Sequence, residues 1–443
     1  MEKYVLWQVI HNFQKLSKDN VLGSVQMVEV PEKEGTVDLK YLLEFLKDMY
    51  KGTEPFFEIY CKKNISLAVL AVSEGGLTNA IGRIQNENRG FINFSIGTTE
   101  GLENQKDIAR KVINNKLAFY LDGTSALVLS ETGLFKKCFT YLPNLKISQS
   151  VINLLIDTTE KFKYTPGQVG YMGYAQGKIT FSSVEQEKRN FIQANFNESV
   201  KLLELKPKNI KVISSANKVN CFSEQKVPAE LCDACILAQK ENIPILTEDF
   251  LYLKMNELET KKKAPEYFSS LMLLRVLYEQ SKVSFDEYLN FFGYLSSYRF
   301  RFLSLSPDDI EKAVFGDGKI KTIRPQNIRK LNFSLTLSEE YGVPFQMSFS
   351  VITIFLLRVL TDNSIPPDIV RKIFIEIIES FPTKKDKKTL GRKFLSTCIQ
   401  KINDRSKLIL IPKSKIIQEK IDLLSQFTQI YDYILFDKKS FKG

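Results

Sequence analysis

A single histidine, His11, stands in a chain of 443 residues. That scarcity excludes a zinc site built from several imidazoles and leaves any His-based proton relay resting on one side chain. Cysteine is sparse too. Six residues without framework spacing point to free thiols in a reducing compartment, not to a disulfide scaffold. Cys232 and Cys235 form one C-x-x-C, but no second pair follows at zinc-ribbon spacing. Both lie in an apolar, Ala-rich segment, so buried packing is the reading: a free cysteine behaves as a small hydrophobe. Long apolar runs are missing as well. The longest, Val351 to Leu357, is cut by Arg358 and falls short of the roughly 20 residues that span a bilayer, so no membrane partner is expected. The start, Met1 to Trp7, carries neither a basic n-region nor a cleavage site, and the expected location is cytoplasmic.

What is present is the composition of an ordinary globular protein, 44% hydrophobic and 26% charged. Basic residues outnumber acidic ones, 62 to 51, for a net charge of +11. Such an excess suits a polyanionic partner and equally a plain solvated surface.

Three regions follow from the patterning. Residues 1–115 read as a mixed α/β or helical region of unassigned role, with an amphipathic helix at Leu39 to Tyr50 and a short alternating strand after Arg89. From 116 to 260, strands and helices alternate, the signature of a parallel sheet covered by helices. The predicted strands are Leu117 to Leu121, Leu145 to Ser148, Ile210 to Ser214 and Ile243 to Leu246. One helix is expected from the turn after Asp122 to about Tyr141, and the Gly/Tyr-rich stretch from Pro166 to Phe181 reads as a loop or hairpin. Residues 261–443 read as helical, with a capping box at Ser284–Glu287 and an N-cap at Ser306 followed by proline.

The central region places acids where apolar strands end. Asp122 follows Leu117 to Leu121, Asp249 follows Ile243 to Leu246 through Thr247 and Glu248, and Asp233 sits in the small-residue helix between them. Acids at the ends of parallel strands converge on one edge of the sheet, where they repel unless a cation is shared. Asp122, Asp233 and Asp249 are therefore candidate ligands of Mg²⁺ or Mn²⁺, ions that take oxygen donors. Such a site polarises a phosphodiester and activates water for in-line attack, which makes a metal-dependent nuclease the leading reading. Each acid also has a purely structural reading. Asp122 and Asp249 can cap the helices that follow, and Asp233 can offset a helix dipole. Thr247 is placed to orient a carboxylate, and strand alternation sends Glu248 to the opposite, solvent-facing side.

With the strand-end Asp122, the Asp-Ala-x-x-Leu-Ala helix at Asp233 to Ala238 and the Leu-Thr-Glu-Asp at Leu246 to Asp249, this region resembles a PIN domain, the fold of many metal-dependent ribonucleases. It is similar in particular to the PIN modules of bacterial conflict systems that couple the nuclease to tetratricopeptide repeats and a Gre-factor-like segment. The Gly-rich insert and the Tyr298-Arg-Phe-Arg-Phe stretch resemble the same subgroup. The resemblance implies a PIN-like three-layer α/β/α sandwich with a mostly parallel sheet, here followed by an all-helical C-terminal domain. It implies an Mg²⁺- or Mn²⁺-dependent endoribonuclease effector in a bacterial defence, toxin or stress system, with a homodimer or a regulatory protein as further partner. One departure stands out. The family's glutamate on the helix after the second strand is missing: Asn153 and Leu154 occupy its place, and Asp157 follows one turn later.

RNA rather than DNA is the expected nucleic acid. Candidate contacts are Tyr171, Tyr174 and Lys178 in the insert, which combine aromatic faces with a cation, although a plain hairpin tip explains them as well. Arg299 and Arg301 alternate in an extended segment and suit either phosphate or a structural ion pair. The densest basic stretch, around Lys387, Lys388, Arg392 and Lys393, can track a phosphate backbone or simply be solvated. The competing function is a catalytically weak or inactive PIN scaffold that binds nucleic acid or a partner protein.

Overall fold

The computed structural model describes residues 53–93 except 64 and 88, 99–164, 170–205 except 176, 177, 184 and 185, 227–301, 305–316, 323–331 and 345–379, with isolated pieces at 32–33, 36–37, 44, 400, 419–420 and 422. The expected strand at Ile210 to Ser214 and the basic residues Lys387, Lys388, Arg392 and Lys393 lie outside the described residues.

At the centre is a four-stranded, all-parallel sheet in the order Leu145–Ile147, Phe119–Leu121, Ile245–Leu246, Tyr267–Phe268. Phe119, Tyr120 and Leu121 are all at most 1% exposed, as a parallel strand covered by helices requires. Each crossover passes through at least one helix, which parallel pairing requires. The sheet also continues past residue 260: the edge strand Tyr267–Phe268 comes from beyond the expected boundary, so the segment after it is not wholly helical. With that addition the architecture is a PIN-like α/β domain accompanied by helical regions.

The helix Gly123–Glu131 is buried along its length from Gly123 to Ser130, which its small and apolar sequence allows on every side. Helices Gln149–Tyr164, Gln186–Leu205, Ala229–Glu241 and Ser270–Glu279 pack around it. The single helix expected to run to Tyr141 is in fact two, Gly123–Glu131 and Phe135–Tyr141. Gly133 makes the break: its φ is +73°, a conformation glycine adopts without strain, and an added Cβ would lie 3.0 Å from the Asn195 side chain. The Gly/Tyr-rich insert forms an antiparallel hairpin, Gly170–Ala175 with Lys178–Ser183.

Flanking segments close on this core. Helix Thr99–Asn114 packs against helix 270–279 and the edge strand. Strand Phe300–Arg301 pairs in parallel with Ile92–Asn93. Glu131 accepts hydrogen bonds from Tyr294 Oη (2.8 Å) and Tyr298 Oη, tying the central helix to helix Phe285–Ser297. That helix starts at Ser284 with both bonds of the capping box formed, and Ser306 caps Pro307–Phe315 in the same way. No helix among the described residues is long and apolar enough to cross a membrane.

Candidate active site

Register puts four residues on one edge of the sheet. Leu121 pairs with Ile147 and Leu246, and Leu246 with Phe268. The next residue of each strand, Ser148, Asp122, Thr247 and Ser269, therefore lies along the carboxyl edge, and all four are at most 1% exposed. Ligand sites of open α/β sheets form at this edge. Polar residues buried there must find partners, and they do so by starting helices. Asp122 caps helix 123–131, Ser269 caps helix 270–279, and Asp249 caps helix Phe250–Thr260.

Asp122 Oδ1 accepts from Ser125 N (2.9 Å) and Thr124 Oγ1 (2.8 Å), while Oδ2 accepts from Thr247 Oγ1. Thr247 Oγ1 in turn accepts from Asp249 N at 3.1 Å. Burial nevertheless pushes the Asp122 carboxyl up to about 7: desolvation outweighs these bonds, and the nearby Glu248 charge adds to it. Asp249 draws on other donors. Its Oδ2 accepts from Ser66 Oγ (2.6 Å) and Ala68 N (2.9 Å) at the start of helix Leu67–Ser73, and Oδ1 accepts from Tyr252 N (3.2 Å). Burial pushes it to about 6 against those bonds.

Glu248 corrects the solvent-facing expectation: it is 0% exposed. Regular pairing ends at Leu246, so strand alternation no longer sets its direction. Its Oε1 accepts from Ser125 Oγ (3.0 Å) and Ser270 N (2.8 Å), between the starts of two helices, where partial positive charge favours an acid. Oε2 finds no hydrogen-bond partner, and burial raises this carboxyl above the ordinary glutamate value.

Asp233 is half-buried on helix 229–241, one turn beyond Glu230, a residue that the sequence reading passes over. An added Cβ at Gly123 would lie 2.6 Å from Glu230 Cγ and 3.1 Å from Leu154 Cδ2. Glu230 thus packs beside the residue that follows Asp122, together with the leucine standing where the family's glutamate is missing. Burial raises the Glu230 carboxyl first, and the charges of Asp233 and Asp157 raise it further while Lys161 opposes them. The i, i+3 spacing to Asp233 was the available signal, because it puts both acids on one helix face. Ser66 had no local signal at all. Asn153 is exposed and accepts from Gln149 Nε2 at 2.8 Å, and Asp157 is exposed.

Among the described residues, no group of three or more His, Cys, Asp or Glu side chains is placed to hold a metal ion. The sequence expects Asp122, Asp233 and Asp249 to share one cation. Asp122 and Asp249 cap different helices and draw their donors from different segments, so these residues as placed do not fit the metal. The buried carboxyls are accommodated by hydroxyl and amide donors and by raised proton affinity.

The remaining candidates separate. The backbones of Tyr171, Tyr174 and Lys178 lie in the hairpin, opposite Ser182, Ile179 and Ala175. Arg299 does not continue an extended run with Arg301, for its φ is +62°. It is 6% exposed, donates from Nε to Gly90 O at 2.8 Å and lies over the Phe91 ring, which makes it a clasp between segments.

A parallel sheet whose central strand ends on a buried aspartate, beside an acid-bearing helix, is a PIN-like α/β arrangement. Residues 120–257 match the family model of the PIN domain associated with the TPR-GreAB-C-PIN system. No curated protein and no solved structure gives a match to the chain.

Proposed function

We propose that this chain is a PIN-type nuclease effector that cuts phosphodiester bonds of RNA rather than DNA, in a bacterial defence, toxin or stress system. The single observation that carries the reading is Asp122. It ends the central strand of a domain matching the PIN family, and its burial brings its proton affinity to about neutral pH. A carboxyl titrating there is suited to take a proton from attacking water. Thr124 and Thr247 fix the orientation of its oxygens, and Glu230 and Asp233 line the neighbouring helix face. The family implies Mg²⁺ or Mn²⁺ as cofactor, but among the described residues the carboxylates as placed do not fit one. A regulatory protein or a second copy of the chain is the further partner proposed.

A second reading, an inactive PIN scaffold that binds nucleic acid or protein, is favoured by one observation: both oxygens of Asp249 are satisfied by Ser66, Ala68 and Tyr252. Cleavage of labelled single-stranded RNA, and of DNA of the same sequence, separates the two. The assay compares wild type with Asp122→Asn, with Mg²⁺ or Mn²⁺ and with a chelator. RNA cleavage that Asp122→Asn abolishes supports the nuclease. Absence of cleavage by wild type under every condition leaves the scaffold.

A further inference from the structure

We propose that a cleft outside the matched domain, between helix 285–297 and helix Pro325–Lys330, is a docking groove for the sugar-phosphate backbone of a single-stranded nucleic acid. The inference rests on the reading above that the chain acts on nucleic acid. The cleft has a volume of about 750 Å³, and its walls include Asp286, Asn290, Arg324, Gln326, Arg329 and Lys330. Its lining carries three cations and one acid, an excess of positive charge.

What sets this groove apart from a merely basic surface is how its cations are held. Arg329 is spent in part on Glu376, 3.3 Å away. Arg324 and Lys330 have no ionic partner among the described residues. Both are nevertheless seated by the fold. The Arg324 guanidinium lies against Gly316, where an added Cβ would come within 2.3 Å of Nη2, and the backbone N of Arg324 donates to Val314 O at 2.8 Å. Lys330 is backed by Gly293, whose Cβ position lies 3.2 Å from Lys330 Cβ and 3.3 Å from its carbonyl oxygen. Two glycines thus let two neighbouring elements close on the residues that carry the uncompensated charges.

The spacing selects the ligand. Arg324 and Lys330 bracket the 325–330 helix, which separates their backbones by about 9 Å along its axis at 1.5 Å per residue. From backbones that far apart, the two long side chains can engage successive phosphates of one strand. The amide side chains of Asn290 and Gln326 add donors and acceptors for sugar and phosphate oxygens. Backbone contacts of this kind hold a strand without reading its sequence.

The test is equilibrium binding of a fluorescein-labelled single-stranded RNA 20-mer to the full chain by anisotropy, across a salt series and without divalent metal. Wild type is compared with the double variant Arg324→Glu/Lys330→Glu and with a surface control, Lys201→Glu. Losing two phosphate contacts lowers the slope of log K against log salt by about 1.4 and weakens binding by roughly 10- to 100-fold at 50 mM salt. Lys201→Glu is expected to bind as wild type does, and polyglutamate is expected not to displace the RNA. Unchanged affinity and slope in the double variant, with wild-type binding intact, overturn the groove and leave the nuclease reading standing. Displacement by polyglutamate at equal charge concentration overturns it in favour of an acidic protein partner. No RNA binding by wild type overturns both proposals. Circular dichroism of the double variant confirms that any loss is not unfolding.

Discussion

Replacing Asp122 with asparagine should stabilise the protein at high pH. The side chain is 1% exposed, and burial lifts its carboxyl from the ordinary 3.8 to about 7. A carboxyl whose affinity for the proton is higher in the folded state stabilises the fold when protonated. That contribution is complete below 3.8 and is lost as the pH rises through about 7. At 1.36 kcal/mol per pH unit, the full loss is about 4 kcal/mol. Linkage places about 2 kcal/mol of it at pH 5 and nearly all of it at pH 8, a difference of roughly 2–3 kcal/mol. Asparagine keeps an acceptor for Ser125 N and Thr124 Oγ1 and can donate to Thr247, while it carries no charge to desolvate. Urea unfolding of wild type and Asp122→Asn at pH 5 and pH 8 reads the effect. The gain from the substitution should be larger at pH 8 by about that difference, whatever other groups titrate in both proteins. If Asp122→Asn is instead less stable at pH 8 than at pH 5 relative to wild type, the buried charge is compensated by something the hydroxyl and amide donors do not supply, and the account of this edge is refuted.

Other substitutions probe the same network. Ser66→Ala removes both the cap of helix 67–73 and the short bond to Asp249, and should lower stability by about 1–2 kcal/mol in urea unfolding. Glu248→Gln retains an acceptor for Ser270 N and Ser125 Oγ and should stay within about 1 kcal/mol of wild type, whereas Glu248→Ala strands both donors and should cost about 2–3 kcal/mol. Gly123→Ala forces a Cβ against Glu230 and Leu154 and should cost about 1–3 kcal/mol; a neutral result would mean that Glu230 does not press on this turn. If Asp122 accepts the proton of attacking water, the rate of RNA cleavage should rise with pH and level off above about 7, and a rate that falls over this range would exclude that role.

The parts of this site that can be read from the sequence are those set by neighbours in the chain. An apolar run that stops on a polar residue marks a strand end, and a helix beginning there makes that residue a cap. Asp122 and Asp249 carry both meanings in the sequence, and the fold uses the caps. Alternation fails at Glu248 because side-chain parity holds only while the backbone stays extended, and the pairing has already ended at Leu246. Gly133 fails for a similar reason: a helical apolar pattern continues through it, and only the packing of Asn195 against the turn shows why the helix must stop. The partner of Asp249 is a different kind of problem. Ser66 lies 183 residues earlier, and no local pattern connects two segments that meet only after the sheet has formed. Its consequence is chemical, since donors from Ser66 and Ala68 take up the carboxylate that the PIN pattern would assign to a cation. The identities of the acids along the chain are therefore weaker evidence for metal chemistry than the question of which donors reach them. Here Asp249 is answered from outside the matched domain, and Asp122 and Glu230 remain as the acids on either side of Gly123.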